Sequence, residues 1–249
     1  MLTALRSAYH RSLFHAGHRV RARHMLAAVA DHAPEGGRVL DAGSGGGSYS
    51  FAIARRFPHL QVEGMELDPH KVAECEAKCQ AEGRGNLHFL VGDITRIGRH
   101  AHYDLALSVD VMEHIPDDEA AFRSLAEALR PGGVLLLHVP YSEPRRFLAS
   151  LREHHQDDHV RDGYEPLVLA TRLEQAGFEA VEVQRTFGAA GELAWEVMHL
   201  ARRPPATRLR HMVGVFLSPL AALLCELDFL LGGGTRGNGI LARARRPAG

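Results

Sequence analysis

The chain has 249 residues, 45% of them hydrophobic, with 29 Lys and Arg against 30 Asp and Glu and a formal net charge of −1. That much apolar material suits one α/β domain with additions and excludes a disordered or fibrous chain, while the balanced charge leaves no footprint for nucleic acid despite Arg-rich patches at both ends. Three cysteines, Cys75, Cys79 and Cys225, make neither a disulfide framework nor a Cys-x-x-Cys zinc signature, which suits a reducing cytoplasm.

Leu2 to His32 reads as a helical cap, with Leu5, Leu13, Val20, Met25, Leu26 and Val29 spaced for one buried face. Arg and His are mixed among its apolar residues, so no signal peptide is expected. Asp31 to Gly37 is a stop. Arg38 to Ser48 follows, in which Val39 and Leu40 supply a buried strand end, Asp41 closes it, and Gly43, Gly45 and Gly47 form a turn into a helix over Tyr49–Phe57. Glycines permit positive φ and close backbone approach, and the N–H groups opening the helix make an electropositive rim, so a nucleotide-like ligand is expected there. A dinucleotide fingerprint needs a third small residue where Ser48 stands. What fits is D-x-G-x-G-x-G, whose acid repels a pyrophosphate and suits a cationic ligand.

A second strand, Leu60 to Glu66, ends in an acid about twenty residues past the turn, the spacing at which a carboxylate accepts ribose hydroxyls. Asp68 and Pro69 then open a helix in which Cys75 and Cys79, four apart, are read as packing residues. A third strand, Leu87–Val91, runs into Asp93 and Ile94, which offer an adenine ring an acceptor and an apolar edge. A fourth, Tyr103–Val109, ends in Asp110-Val-Met-Glu113-His114. A helix over Glu119–Leu129 and a turn at Arg130–Gly133 lead to a nearly all-apolar fifth strand, Val134–Val139. Strands alternating with helices predict a parallel sheet covered on both faces. Beyond it lie a polar stretch holding His154, His155 and His159, a helix over Pro166–Ala176, a sixth strand over Phe178–Phe187, helices over Glu192–Arg202 and Met212–Leu231, and a short strand over Gly239–Arg245. The run from Met212 contains Pro219, meets Glu226 and Asp228, and falls short of the roughly 20 apolar residues a span needs, so it is read as a buried or surface-docking helix.

The glycine turn, the acids at successive strand ends and Leu-Arg-Pro-Gly-Gly before the fifth strand together resemble the class I S-adenosylmethionine (SAM) dependent methyltransferases, over roughly Arg38 to Phe187. The resemblance implies a Rossmann-like, seven-stranded, mostly parallel sheet with an antiparallel last strand. One domain over 1–249 is expected: a cap (1–35), a SAM-binding core (36–187), a helical insertion (188–236), and the last strand and tail (237–249). Carried over residue by residue, Asp41, Gly43, Gly45 and Gly47 hold the amino acid half of SAM. Glu66, with Leu67 beside it, holds the ribose, Asp93 and Ile94 the adenine, and Asp110 faces the methionine end or the reaction centre.

An oxygen acceptor also needs a base, and His suits neutral pH. His114, His138, His154, His155 and His159 are candidates, with Asp110, His114 and His138 named as the catalytic set. Asp110, Glu113 and His114 resemble the motif of ubiquinone-pathway O-methyltransferases, which have Glu at the Asp110 position. They could hold a divalent ion, but the expectation is that Glu-His shapes the floor of the methionine pocket without a metal. The expected function is methyl transfer to a small hydrophobic hydroxylated molecule, in the cytoplasm, with peripheral membrane contact through 212–231. An N- or C-acceptor, a SAM-binding protein without turnover, and a nicotinamide oxidoreductase are the alternatives.

Overall fold

The computed structural model describes residues 16–148, 159–201, 207–231 and 237–249. The part of the expected cap before Ala16, and His154 and His155, lie outside the described residues. Helix α1 (Ala16–His32) leads into β1 (Arg38–Ala42), α2 (Ser48–Arg56), β2 (Gln61–Glu66), α3 (Pro69–Glu82), β3 (Leu87–Val91) and β4 (Tyr103–Val109). Then come α4 (Asp118–Ala128), β5 (Leu129–Pro140), α5 (Pro166–Gln175), β6 (Glu179–Thr186), α6 (Ala189–Ala201), α7 (Thr207–Leu231) and β7 (Gly239–Arg245). The strands form one sheet in the order β3-β2-β1-β4-β5-β7-β6, mostly parallel, with β7 antiparallel between β5 and β6. The expected fold class is the one observed.

Period-two alternation decides which residues go to which face. Leu40, Ala106, Leu135 and Leu137 pack with Phe122, Leu125, Leu169 and Leu173 of α4 and α5. Their neighbours Val39, Leu105, Leu107 and Leu136 pack with Phe51, Ile53 and Val72 of α2 and α3. Both faces are thereby covered, which is why these strands read as continuous apolar runs. Cys75 and Cys79 sit in the second of these clusters as packing residues. Helix α3 starts where its sequence says: Asp68 accepts from His70 N at 2.9 Å, Pro69 is the first residue, and Gly83 closes it at φ +64°.

One boundary differs from the expectation. Arg130–Gly133, expected as a turn before the fifth strand, lies inside β5 as an irregularity: the pairing with β4 jumps from Tyr103↔Leu129 to Leu105↔Val134. The bulge is held by Arg246, the residue just past β7, since Gly132 N donates to Arg246 O (2.9 Å) and Arg246 N to Gly133 O (2.8 Å). A turn-forming Pro-Gly-Gly is thus absorbed by backbone bonds from a segment more than a hundred residues later.

The chain divides into two compact units: the larger covers 25–142, 157–184 and 240–249, and the other gathers the described residues of 1–24, 143–156 and 185–239. In the smaller unit Ala16, Val20, Phe187, Ala194, Met198, Ala221 and Cys225 form a core. Asp228 of α7 is buried and accepts from Gly188 N (3.1 Å) and Gly191 N (2.9 Å), satisfying N–H groups at the start of α6. Glu196 of α6 accepts from Phe147 N (2.7 Å) and Leu148 N (3.0 Å), and Glu192 receives Arg146 (2.6 Å) and Asn238 (2.6 Å).

Candidate active site at the carboxyl edge of the sheet

The three glycines of the first turn all lie at positive φ: Gly43 at +81°, Gly45 at +55° and Gly47 at +73°. Two of them are also sterically committed. A Cβ on Gly43 would lie 2.6 Å from Val111 Cγ1, and one on Gly47 would lie 2.7 Å from the Phe89 ring. Gly45 and Gly46 face open space on the other side of the turn, where a Cβ would meet nothing within 4 Å. The turn is anchored by Gly43 N and Ser44 N, which donate to Met65 O at 2.9 and 2.8 Å.

Asp41 is buried beneath the turn and accepts from Ser50 Oγ of α2 at 2.5 Å. Burial, opposed by the Ser50 hydrogen bonds, pushes its carboxyl up to about 6. Glu66, at the end of β2, accepts from Gly45 N at 2.9 Å and from Asp68 N at 3.1 Å, with Lys71 at 3.7 Å. The glycine turn and the ribose-position acid are therefore one hydrogen-bonded unit, a link that sequence spacing alone does not show. Asp93 accepts from Thr95 N and Thr95 Oγ1, both at 2.8 Å, capping the 3-10 turn Ile94–Arg96. Leu67 is exposed at the rim. Ile94 packs in the core with Ile97 and Tyr103 instead of presenting an open apolar edge, because the 3-10 turn carries its side chain inward.

Beyond β4 the predicted catalytic residues separate into two groups. Asp110 lies in the left-handed region at φ +52°, costly for a residue with a Cβ, and is fixed from β5. Its N–H donates to His138 O at 2.9 Å, and its Oδ1 lies 2.8 Å from His138 Nδ1. His138 is 2% exposed and the Asp110 side chain 25%, so the carboxylate is the accessible end of the pair and the imidazole supports it from within. His138, one of the candidate bases, thus lies buried behind Asp110.

The second group is Glu113, His114 and His159, whose ligand atoms all lie within 4.8 Å of one another, an arrangement that could hold a metal ion. The His114 and His159 rings meet edge to face at 4.6 Å. The metal set named from sequence was Asp110, Glu113 and His114. The observed cluster has His159 in place of Asp110, whose carboxylate is turned to His138 instead.

What brings His159 to His114 is a set of residues that sequence reasoning passed over. Val160 N donates to Glu113 O at 2.9 Å. Arg161 donates to Met112 O, to Ile115 O at 2.7 Å and to Pro116 O at 3.1 Å. The Tyr164 hydroxyl donates to buried Asp118 at 2.5 Å, and Arg172 reaches the same carboxylate at 2.6 Å. Burial and the hydrogen bond to Asp118 raise the Tyr164 phenol well above its ordinary range, so it remains a donor. These partners are more than forty residues apart, and no local pattern links them.

The residues present suit SAM. Open backbone at Gly45 and Gly46, acids at the ends of β2, β3 and β4, and a buried anion under the turn match a ligand with a ribose and cationic groups and no phosphate. A family model for the methyltransferase domain matches residues 13–183. A ubiquinone biosynthesis O-methyltransferase of Xanthomonas axonopodis pv. citri is 30% identical over 166 residues, 60% of this chain and 66% of the relative. A trans-aconitate 2-methyltransferase of Deinococcus radiodurans is 36% identical over 103 residues, 41% and 38% of the two chains. Among the curated relatives it matches, the chain thus spans about half the relative's length, as for the Leptothrix cholodnii ubiquinone biosynthesis O-methyltransferase, at 50%. In fold it is similar to Haemonchus contortus phosphoethanolamine N-methyltransferase 2 bound to SAM (TM-score 0.65, 20% identity, 90% of this chain and 52% of that one). It is also similar to the [4+2]-cyclase SpnF (TM-score 0.61, 21% identity, 91% and 82%). With the glycine turn, the strand-end acids and a family match over most of its length, the chain belongs to the methyltransferase-domain family.

Proposed function

We propose that the chain moves a methyl group from SAM to an oxygen of a small, hydrophobic, hydroxylated acceptor. The observation that carries this reading is the Asp110–His138 pair at adjacent strand ends, 2.8 Å apart with its carboxylate on the accessible side. Asp41, Gly43, Gly45 and Gly47 would hold the amino acid half of SAM, Glu66 and Leu67 the ribose, and Asp93 the adenine, with Ile94 packing beneath. Bound there, SAM supplies a methyl on a sulfonium that is already a good leaving group. The protein's share of the work is alignment, exclusion of water and removal of one proton.

That proton passes from the acceptor hydroxyl to the Asp110–His138 pair. Asp110 meets the hydroxyl, and His138 shares the proton across the 2.8 Å contact as the positioning partner. The His114–His159 pair, half-buried on the neighbouring segment, lines the same carboxyl edge and shapes the acceptor side. The expected setting is the cytoplasm, with peripheral contact to a membrane through residues 212–231. The names of the relatives support methyl transfer but differ in acceptor, so the hydroxyl acceptor rests on the Asp110–His138 pair.

The test is a transfer assay with methyl-labelled SAM over a panel of phenolic and aliphatic hydroxyl acceptors. Glu66→Ala is expected to weaken SAM binding by about 1–3 kcal/mol, the cost of an unmade charged hydrogen bond. Asp110→Asn is expected to lower kcat about 100-fold or more, with a much smaller loss of SAM affinity. An unchanged kcat in Asp110→Asn would move the reading to an acceptor, such as a neutral amine nitrogen, that needs no base. Absence of SAM binding by the folded wild type would leave a fold without this activity.

A further inference from the structure

Helix α7 has an inverted amphipathic design. At about 100° per residue, Gly214, Ser218, Ala221, Cys225 and Asp228 fall on one face, and all are buried. The opposite face carries Met212, Phe216, Leu220, Leu223, Leu227, Leu230 and Leu231, every one exposed, Phe216 at 83% and Leu230 at 76%. Those seven positions fall within an arc of roughly 100°, so they form one continuous stripe and not scattered surface leucines. The small and polar residues face protein and the large apolar ones face solvent. An exposed apolar patch of this extent marks a surface meant to be covered.

Charge says by what. Between Val197 and Cys225 the sequence has no Asp or Glu, while Arg202, Arg203, Arg208 and Arg210 cluster just before the stripe. The exposed acid at the stripe's border, Glu226, is already engaged by Arg23 at 3.2 Å. A basic segment leading into an apolar face suits the headgroups and acyl boundary of an anionic leaflet. A second copy of this chain would bring the same arginines.

Topology says how. Contrary to the expectation that its apolar run falls short of a span, the helical stretch Met212–Leu231 is long and apolar enough to cross a membrane by length and composition, but β6 before it and β7 after it are neighbours in one sheet. A single crossing would put those strands on opposite sides. Asp228 is also committed to the start of α6, so the helix is not free to be lipid-facing all round.

We propose that α7 is a reversible membrane-docking helix that lies in the plane of an anionic phospholipid surface, with Phe216, Leu220, Leu223, Leu227 and Leu230 in the acyl boundary and the arginines before them on the headgroups. The inference deepens the peripheral contact proposed above and rests on it, but needs no particular methyl acceptor.

The test is co-sedimentation of the full chain with phosphatidylcholine vesicles and with phosphatidylcholine–phosphatidylglycerol vesicles, at low and physiological salt. The variants are Phe216→Ser/Leu223→Ser/Leu230→Ser and, separately, Arg208→Gln/Arg210→Gln, their folding checked by circular dichroism and thermal melting. All stripe positions substituted are exposed, and the arginine pair gives an independent variant. The wild type is expected to pellet with the mixed vesicles and far less with the neutral ones. The stripe variant should lose at least about ten-fold in partitioning, and the arginine variant should lose the preference for acidic lipid and its salt dependence. A wild type that stays in the supernatant with both vesicles overturns the proposal, as does a folded stripe variant that pellets like wild type. Light scattering that shows a dimer broken by the stripe variant, without vesicle binding, assigns the stripe to a second copy and equally overturns it.

Discussion

Replacing Asp41 by Asn separates what the buried carboxylate costs from what it does. In the folded chain its carboxyl is pushed from 3.8 up to about 6 by burial, and a rise of about two units is about 3 kcal/mol between the protonation states. The folded state therefore holds a proton that the unfolded chain has released between pH 4 and 6, and stability falls as pH rises through that window. Below the unfolded value the ionisation costs nothing; above pH 6 the full penalty, about 3 kcal/mol, is present. Asn has nearly the same shape and its carbonyl still accepts from Ser50, but it never ionises. Relative to wild type, Asp41→Asn should thus gain about 2–3 kcal/mol of stability between pH 4 and pH 8, whatever constant offset its amide adds. Urea unfolding of both proteins across that range measures it, and the difference between variants cancels the other carboxylates that titrate there. The same charge should serve SAM: a cationic ligand favours the ionised form, so wild-type affinity should weaken up to about tenfold per pH unit below 6 while the Asn variant is weak and flat. A stability difference that is the same at pH 4 and pH 8 would refute the reasoning.

Two further substitutions probe the turn and the segment carrying His159. Gly43→Ala places a Cβ 2.6 Å from Val111 at φ +81°, so left-handed strain and overlap together should cost about 2–4 kcal/mol. Thermal unfolding would show this as a lowered Tm, and calorimetry should show SAM affinity lost even where the chain remains folded. Tyr164→Phe removes the hydroxyl shared with Asp118 and Arg161 and should cost about 1–3 kcal/mol, read as a lower urea midpoint with an unchanged m-value. It should also speed proteolysis of the chain after Tyr141, since Arg161 then holds that segment without its partner.

The glycine turn and the acids at the strand ends were legible in sequence because their determinants are local. Gly43, Gly45 and Gly47 are needed by backbone angles set within five residues, and Glu66 and Asp93 stand at the ends of strands whose apolar runs announce them. A parallel sheet covered on both faces followed once the strands alternated with helices. The arrangement beyond β4 was only partly legible. Asp110, His138 and His114 were named as individuals, but pairing Asp110 with His138 instead of Glu113 depends on β5 lying beside β4 in a register that sets Val109 against His138. His159 was one of several histidines in a polar stretch until Arg161 and Tyr164, bonded across more than forty residues, brought it to His114.

The long helix shows the same limit from another direction. Hydropathy identified Met212–Leu231 as apolar, yet an apolar average does not say which side of a helix is spoken for. Gly214, Ser218, Ala221, Cys225 and Asp228 have the same four-three spacing as Phe216, Leu220, Leu223, Leu227 and Leu230, so periodicity marks two stripes equally well. The usual rule would have buried the larger residues. Asp228 opposes it: its carboxylate is bonded to Gly188 and Gly191 at the start of α6, and turning the leucine face inward would leave it without those partners. The same face packs through Ala221 and Cys225 against Ala16, Val20, Ala194 and Met198. The 25-residue helix is thus held by its small-residue face as a whole, and its apolar stripe is left facing outward.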